Sequence, residues 1–216
     1  RGSKLQQADA RVKSAWHMTF TLGGCTVSVS FFFLAVLAVL LLNDKSGMAS
    51  AGTAAALLHE CAHLAVMRAL NCMPTEIRFT AFGIDIQKPC TVGRTYGRDA
   101  LISLAGPAAN LAAAVITYIT GGFNARYFFA ANVLLFVFNI LPIEPLDGGQ
   151  ALYAFLCIKA KPYTAQKIVA VISFFVLVPL AAYSFLILLR SGWNFSLFLV
   201  CCYLMAVLLL KKGAYY

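Results

Sequence analysis

The sequence predicts an all-α polytopic membrane protein with six transmembrane helices. Of its 216 residues, 61% are hydrophobic and 12% are charged, against about 45–50% and about 25% in soluble globular proteins. The mean hydropathy of +0.81 means that the chain has more apolar side chain than a core of this size can bury. These values exclude a soluble enzyme, a disordered chain and a secreted disulfide scaffold. They predict one integral membrane domain over residues 1–216.

Apolar runs close to the roughly 20 residues that a helix needs to cross a bilayer recur along the chain. The six predicted spans cover about residues 19–42, 48–70, 100–120, 127–141, 168–189 and 193–210.

One long connection, between the second and third spans, carries a different pattern. Polar and apolar side chains alternate over residues 76–86, which is the period of a strand or hairpin. We expect a short membrane-associated β-hairpin here. It is either a loop folded against the membrane surface or an exposed strand edge to which an extended peptide could add.

The charge of the chain is strongly positive, with 17 basic and 8 acidic residues. In a soluble protein this excess would suggest nucleic acid. Here the bases lie in short loops between apolar runs, so we expect a lipid bilayer as partner and no nucleic acid. With six spans, 14 of the 17 bases lie on one side, and only Lys45, Arg126 and Arg190 lie on the other. Because basic loops stay in the cytoplasm, both termini are predicted to be cytoplasmic.

The second span contains three ionisable residues within five positions, in the sequence HECAH. An Asp, Lys or Arg inside a span costs about 2.5–3.5 kcal/mol, so such groups need a functional or pairing explanation. On a helix, His63 lies about 40° around the axis from His59, and Glu60 about 100°. This is the HExxH pattern, in which two imidazoles bind zinc and the carboxylate activates water. Two polar histidines and a carboxylate in a helix interface are the structural alternative.

A catalytic zinc ion needs a third protein ligand and an open position, and the candidates are Asp85, Glu144 and Asp147. The segment FNILPIEPLDGGQ favours Asp147. Pro142 and Pro145 each remove a backbone hydrogen-bond donor there. The glycine pair that begins at Gly148 gives the backbone the conformational freedom to turn. The segment is therefore predicted to be extended backbone at membrane depth, which is tolerated where it is buried or lines a cavity. Alternatively, Asp147 caps the turn that follows a helix leaving the bilayer.

These motifs jointly resemble those of the site-2 protease family of intramembrane zinc metalloproteases. HECAH stands in one span, GPAAN in the next, and NILPIEPLDGG surrounds the third candidate ligand. The LPxxPLDGG spacing is most similar to that of the stage IV sporulation (FB-type) branch. The resemblance covers about half of the chain and implies a three-helix catalytic core formed by spans 2–4.

The resemblance implies roles for individual residues. It makes His59, His63 and Asp147 the ligands of a zinc cofactor, and Glu60 the catalytic general base. Asn139 matches a family residue that contacts the substrate backbone or the oxyanion.

Two further segments match structural or substrate-contacting motifs of the family. Gly106, Pro107 and Asn110 fall on a small-residue packing motif. The hairpin around Phe82 and Gly83 corresponds to a loop that contacts substrate. The PDZ and nucleotide-sensing domains that some relatives carry are expected to be absent.

The function implied is regulated intramembrane proteolysis in a bacterial membrane. The substrate would be a membrane-tethered protein, a sigma-factor precursor being one such substrate, and regulatory or inhibitor membrane proteins are potential partners. Two other functions stay open at this point, a zinc transporter and a membrane scaffold with a structural metal site. A transporter favours several carboxylates along a path and an inverted repeat, whereas a structural site closes with four protein ligands.

Overall fold

The computed structural model describes residues 17–22, 25–80, 83–87, 95–121, 125–191 and 195–211. Within these ranges the chain forms four strands, which are β1 His17–Leu22, β2 Cys25–Ser30, β3 Glu76–Thr80 and β4 Gly83–Gln87. It also forms seven helices, which are α1 Phe31–Leu42, α2 Met48–Ala69, α3 Tyr96–Thr120, α4 Arg126–Asn139, α5 Asp147–Cys157, α6 Pro162–Ser191 and α7 Ser196–Lys211.

The prediction of a helical first span over residues 19–42 is wrong in its first half. The chain forms β1 and β2 up to Ser30, and only the 12 residues of α1 are helical, a length of about 18 Å. The sequence explains why. Apolar residues alternate with Thr and Ser through both strands, on either side of a Gly-Gly pair, and this is the signature of a hairpin.

The strands form one sheet in the order β1-β2-β3-β4, in which β2 and β3 are parallel and the other pairs are antiparallel. The hairpin predicted over residues 76–86 is therefore present as β3 and β4, but the mostly helical fold also contains a second hairpin. Because β3 pairs on both sides, the edges of the sheet left open by the described strands belong to β1 and β4. The ring of Phe33 in α1 lies 5.6 Å from that of Phe79 in β3 and joins the helix to the sheet.

The other predicted spans correspond to helices with similar bounds. By length and composition, α3 and α6 are suited to crossing a membrane, and α1, α4 and α7 are apolar but shorter. Large apolar side chains such as Phe175 in α6 and Leu199 in α7 are exposed, as contact with lipid requires. Two helices are thus long and apolar enough to cross a membrane, while the count of six spans remains a prediction.

Helix α2 begins at a tight turn. Gly47, immediately before it, has φ +78°, in the left-handed region that favours glycine. The carboxylate of Asp44 accepts a hydrogen bond from the Ser50 backbone N–H at 2.8 Å. This N–H group holds the pKa of Asp44 well below its usual value. The acidic group therefore stays ionised at the N-terminus of the helix that carries HECAH.

The core is built by α3, which packs against α2, α4 and α5, and by the contact of α2 with α4. Small buried residues such as Ala55, Ala100 and Ala114 let these helices approach closely. The pair α6 and α7 joins this core through α5 and through an apolar cluster formed by Ile143, Leu177, Leu204 and Leu208.

Candidate active site

Two imidazoles and one carboxylate converge inside the core. His59 and His63 come from α2, and Asp147 is the first residue of α5. The Asp147 Oδ2 atom lies 2.9 Å from Nε2 of His59 and 3.2 Å from Nε2 of His63, and the two Nε2 atoms are 3.2 Å apart. Among the described residues, these three form a group of His, Cys, Asp or Glu side chains that could hold one metal ion.

The opposite nitrogen of each imidazole is held by an acceptor. His63 Nδ1 lies 2.7 Å from the carbonyl oxygen of Ile102, which can only accept, so Nδ1 carries the proton. His59 Nδ1 lies 2.6 Å from Oδ1 of Asn110. With Nδ1 protonated, a neutral imidazole has its lone pair on Nε2, the atom that faces the carboxylate. Such second partners fix the tautomer and orientation of histidines that bind metals.

This donor set fits zinc. With both imidazoles neutral, the three facing atoms are all acceptors, and a bound cation stabilises their close approach. Their separations are close to the ~3.3 Å expected between two ligand atoms that each lie about 2.0–2.1 Å from a tetrahedral zinc ion. Two imidazoles with one carboxylate are a ligand set found in catalytic zinc sites.

Helix α3 approaches the imidazoles closely because residue 106 is a glycine. A Cβ atom there would lie 2.6 Å from Cε1 and Nε2 of His59, and it would also collide with Nε2 of His63. Pro107 and Asn110 are buried on the same helix. The segment predicted to be a packing motif therefore also contacts both imidazoles, through Gly106 and Asn110.

The segment between α4 and α5 brings Asp147 to the histidines. It contains Pro142 and Pro145, and the glycines at 148 and 149 follow Asp147 in the first turn of α5. A Cβ at Gly148 would collide with the carbonyl of Ile140, and one at Gly149 with the carbonyl of Ile143. The irregular segment was predicted from the sequence, but α5 was not. The glycines were interpreted as residues that free the backbone, whereas they allow close packing on backbone carbonyls.

A hydroxyl from α6 supports this irregular segment. Ser173 is fully buried, and its Oγ accepts a hydrogen bond from the Glu144 backbone N–H at 2.9 Å. The hydroxyl donates to the Val169 carbonyl at 2.7 Å within its own helix. The backbone N–H of Glu144 in this irregular segment is thereby satisfied.

The remaining predicted residues lie around this cluster or elsewhere. Glu60 is partly buried and follows His59 directly in α2. Asn139 ends α4, and its amide donates to the Leu135 carbonyl at 3.1 Å. Glu144 is not part of the cluster. Asp85 and Gly83 belong to β4, whose side chains lie outside the described part of the structure, and Phe82 lies outside the described residues altogether.

The sequence analysis did not identify Asn132 or Ser173 as site residues, although each is fully buried near the site. The available signal was a polar side chain within an apolar span, a feature that calls for a partner. The sequence does not say which partner each one has.

Comparison with known proteins adds two findings. The model of Peptidase family M50 matches residues 123–180, a segment that includes Asp147 but not the two histidines. The structure is similar to that of the site-2 protease from Methanocaldococcus jannaschii, with a TM-score of 0.61 and 20% sequence identity over 88% of this chain and 92% of that chain. No curated protein sequence matches significantly. The chain therefore has a site-2 protease fold, and its Asp147 segment is similar to that of Peptidase family M50.

Proposed function

We propose that the chain is an intramembrane zinc metalloprotease that hydrolyses a peptide bond in or next to a transmembrane segment of a membrane-tethered protein. The observation that carries the proposal is the triangle of ligand atoms from His59, His63 and Asp147, whose sides measure 2.9–3.2 Å. The match to Peptidase family M50 and the likeness to a site-2 protease support it.

In this proposal His59, His63 and Asp147 hold the zinc ion. Bound there, zinc supplies Lewis acidity and lowers the pKa of a coordinated water to about 7. Glu60 accepts a proton from the attacking water and returns it to the leaving amine. Its position beside His59, on a neighbouring face of α2, supports this role.

Asn139 is the proposed second donor to the oxyanion. It ends α4 eight positions before Asp147. Its Nδ2 now donates to the Leu135 carbonyl at 3.1 Å, a bond within its own helix. A substrate carbonyl that develops negative charge is a stronger acceptor and would attract this donor.

The substrate must unwind before cleavage, because a helix in lipid has its backbone groups bonded internally. An open strand edge would hold the unwound segment by main-chain hydrogen bonds. Since β3 pairs on both sides, we assign this role to the edge of β4.

The proposed setting is a bacterial membrane, with both termini in the cytoplasm. The similarity of LPxxPLDGG to the sporulation branch makes a sigma-factor precursor the first substrate to test. A structural site has less support, since three ligand atoms converge among the described residues and a structural zinc site takes four.

Reconstitution into sealed vesicles tests the proposal. Purified protein is combined with a single-span peptide substrate, with and without a zinc chelator. We expect cleavage that stops with chelator and returns when zinc is added. Zinc flux without cleavage would favour the transporter, and bound zinc with neither activity would favour the scaffold. Either result would contradict the protease.

A further inference from the structure

Behind His59, two asparagines from different helices form a chain of hydrogen-bonded amides. Asn110 in α3 and Asn132 in α4 both have 0% of their surface exposed. Asn110 Nδ2 donates to Oδ1 of Asn132 at 2.8 Å and to the Ala55 carbonyl at 3.1 Å. Asn132 Nδ2 donates in turn to the Phe128 carbonyl at 2.8 Å.

This amide chain, formed by Asn110 and Asn132, has a fixed direction. The Phe128 carbonyl can only accept, so Asn132 must present its NH₂ group there and its oxygen to Asn110. Asn110 then presents its own NH₂ group to Asn132 and its oxygen to His59. A flipped Asn110 amide would place its oxygen against the oxygens of Ala55 and Asn132 and would offer His59 a donor.

We propose that Asn132 is a positioning residue of the metal centre, which acts through Asn110 to hold His59 with Nδ1 protonated and Nε2 free for zinc. The inference rests on the proposed function and extends its site to α4. Residues of this kind around metal sites affect metal affinity by 10- to 100-fold. Asn132 does not touch His59, so we expect about a tenfold effect from it.

His63 provides an internal comparison. Its Nδ1 is held by the backbone carbonyl of Ile102, which no substitution in α4 removes. A change at Asn132 should therefore disturb His59 and leave His63 in place. A general loss of structure would disturb both imidazoles.

Zinc affinity is the first measurement. Asn132→Leu and the smaller Asn132→Ala should each weaken zinc binding about tenfold, and Asn110→Ala by 10- to 100-fold. In the Asn110→Ala protein, a further Asn132→Ala change should have no additional effect, because Asn132 acts only through Asn110. Thr117→Val is the control, since Thr117 donates to the Ala113 carbonyl within α3 and should leave zinc affinity unchanged.

The second measurement follows the imidazole N–H protons of the zinc-loaded protein by NMR. In Asn132→Leu the Nδ1 proton of His59 should exchange with water faster than in the wild type, while that of His63 should not. Equal zinc affinity in wild type and Asn132→Leu, additive effects in the double variant, or equal changes at both histidines would overturn the positioning role. A wild-type protein that binds no zinc would overturn the proposed function, and the positioning role with it.

Discussion

Residue 106 is the point at which α3 meets both imidazoles, and only a hydrogen fits there. A Gly106→Ala change places a methyl group against His59 and His63. We expect at least a tenfold loss of zinc affinity, because the imidazoles must move out of their bound arrangement. Isothermal titration of zinc into the metal-free protein measures this loss.

Gly52→Ala is the matched control, since a Cβ at Gly52 in α2 meets nothing within 4 Å. Alanine there should leave zinc affinity unchanged and raise stability by about 0.5–1 kcal/mol, because glycine is unfavourable inside a helix. If Gly106→Ala binds zinc as tightly as Gly52→Ala and the wild type, the site does not require the close approach at Gly106.

Glu60 is the residue on which the proposed proton transfer depends. Glu60→Gln removes the base while keeping the shape of the side chain, so we expect normal zinc content and a loss of cleavage by about 10²–10⁴-fold. Metal analysis and cleavage of the single-span peptide check the two halves of this prediction. Glu144→Gln, which changes a carboxylate outside the metal cluster, should keep most of the activity. Ordinary turnover by Glu60→Gln would remove Glu60 from the mechanism.

The sequence allowed the two histidines to be paired because both lie on one helix, four positions apart. Asp147 required a different argument, from the prolines and glycines around it. The partners of the histidines could not be predicted, because Asn110 and Ile102 reach them only through the packing of α3 on α2. Sequence periodicity describes one element at a time and contains no such information.

At the scale of elements, the start of α2 depends on Asp44. We expect Asp44→Ala to lower the melting temperature at neutral pH, because the Ser50 N–H loses its acceptor. The pKa of Asp44 is lowered in the folded state, so its stabilising effect is present above the ordinary aspartate pKa of 3.8 and is lost as the pH falls below it. The difference in melting temperature between wild type and variant should thus be constant above about pH 5 and narrow below about pH 4. A difference that grows in acid would contradict this account.

The open edge of β4 is the element proposed to bind the unwound substrate. Thr80 and Gly83 lie opposite each other at the end of the β3–β4 hairpin. In a hairpin with a two-residue connection, this last pair is hydrogen-bonded. The N–H groups of Ile84 and Ile86 therefore face the open edge, because the direction alternates along the strand. Ile84→Pro removes one of these donors without breaking the ladder to β3. We expect slower cleavage of transmembrane peptides in a kinetic assay, with normal zinc binding.

Thr19→Pro is the control for this experiment, since it makes the equivalent change at the other open edge, in β1. It should leave cleavage nearly unchanged. Equal effects of the two prolines, or none, would contradict strand addition at β4.

The elements that the sequence missed have identifiable causes. The β1–β2 hairpin was absorbed into a predicted span because its Val, Phe and Leu residues raise the hydropathy of a window that ignores alternation. Helix α5 was missed because Pro145 and Gly148 are strong signals of irregular structure. Both glycines of α5 are instead required where the helix packs on backbone carbonyls.

At the scale of the whole molecule, the described fold consists of the four-stranded sheet with α1, a helical core formed by α2–α5, and the pair α6 and α7 that packs on this core through α5. The attachment includes the segment that leads into Asp147. Ile143 lies in the apolar cluster with Leu177 and Leu204, and Ser173 binds the backbone of Glu144. Helix α6 therefore supports the segment before Asp147, the third proposed metal ligand, although α6 contributes no residue to the described cluster.

This dependence leads to a prediction for α6. Ser173→Ala leaves the Glu144 N–H buried without its acceptor, at a cost of about 1–3 kcal/mol. We expect a lower melting temperature and about a tenfold lower zinc affinity, since the segment before Asp147 loses its anchor. Ser184→Ala is the control, because Ser184 is equally buried in α6 but donates to the Ala181 carbonyl in the same helix. That variant should lose stability alone, and equal zinc affinity in the two variants would show that α6 does not position Asp147.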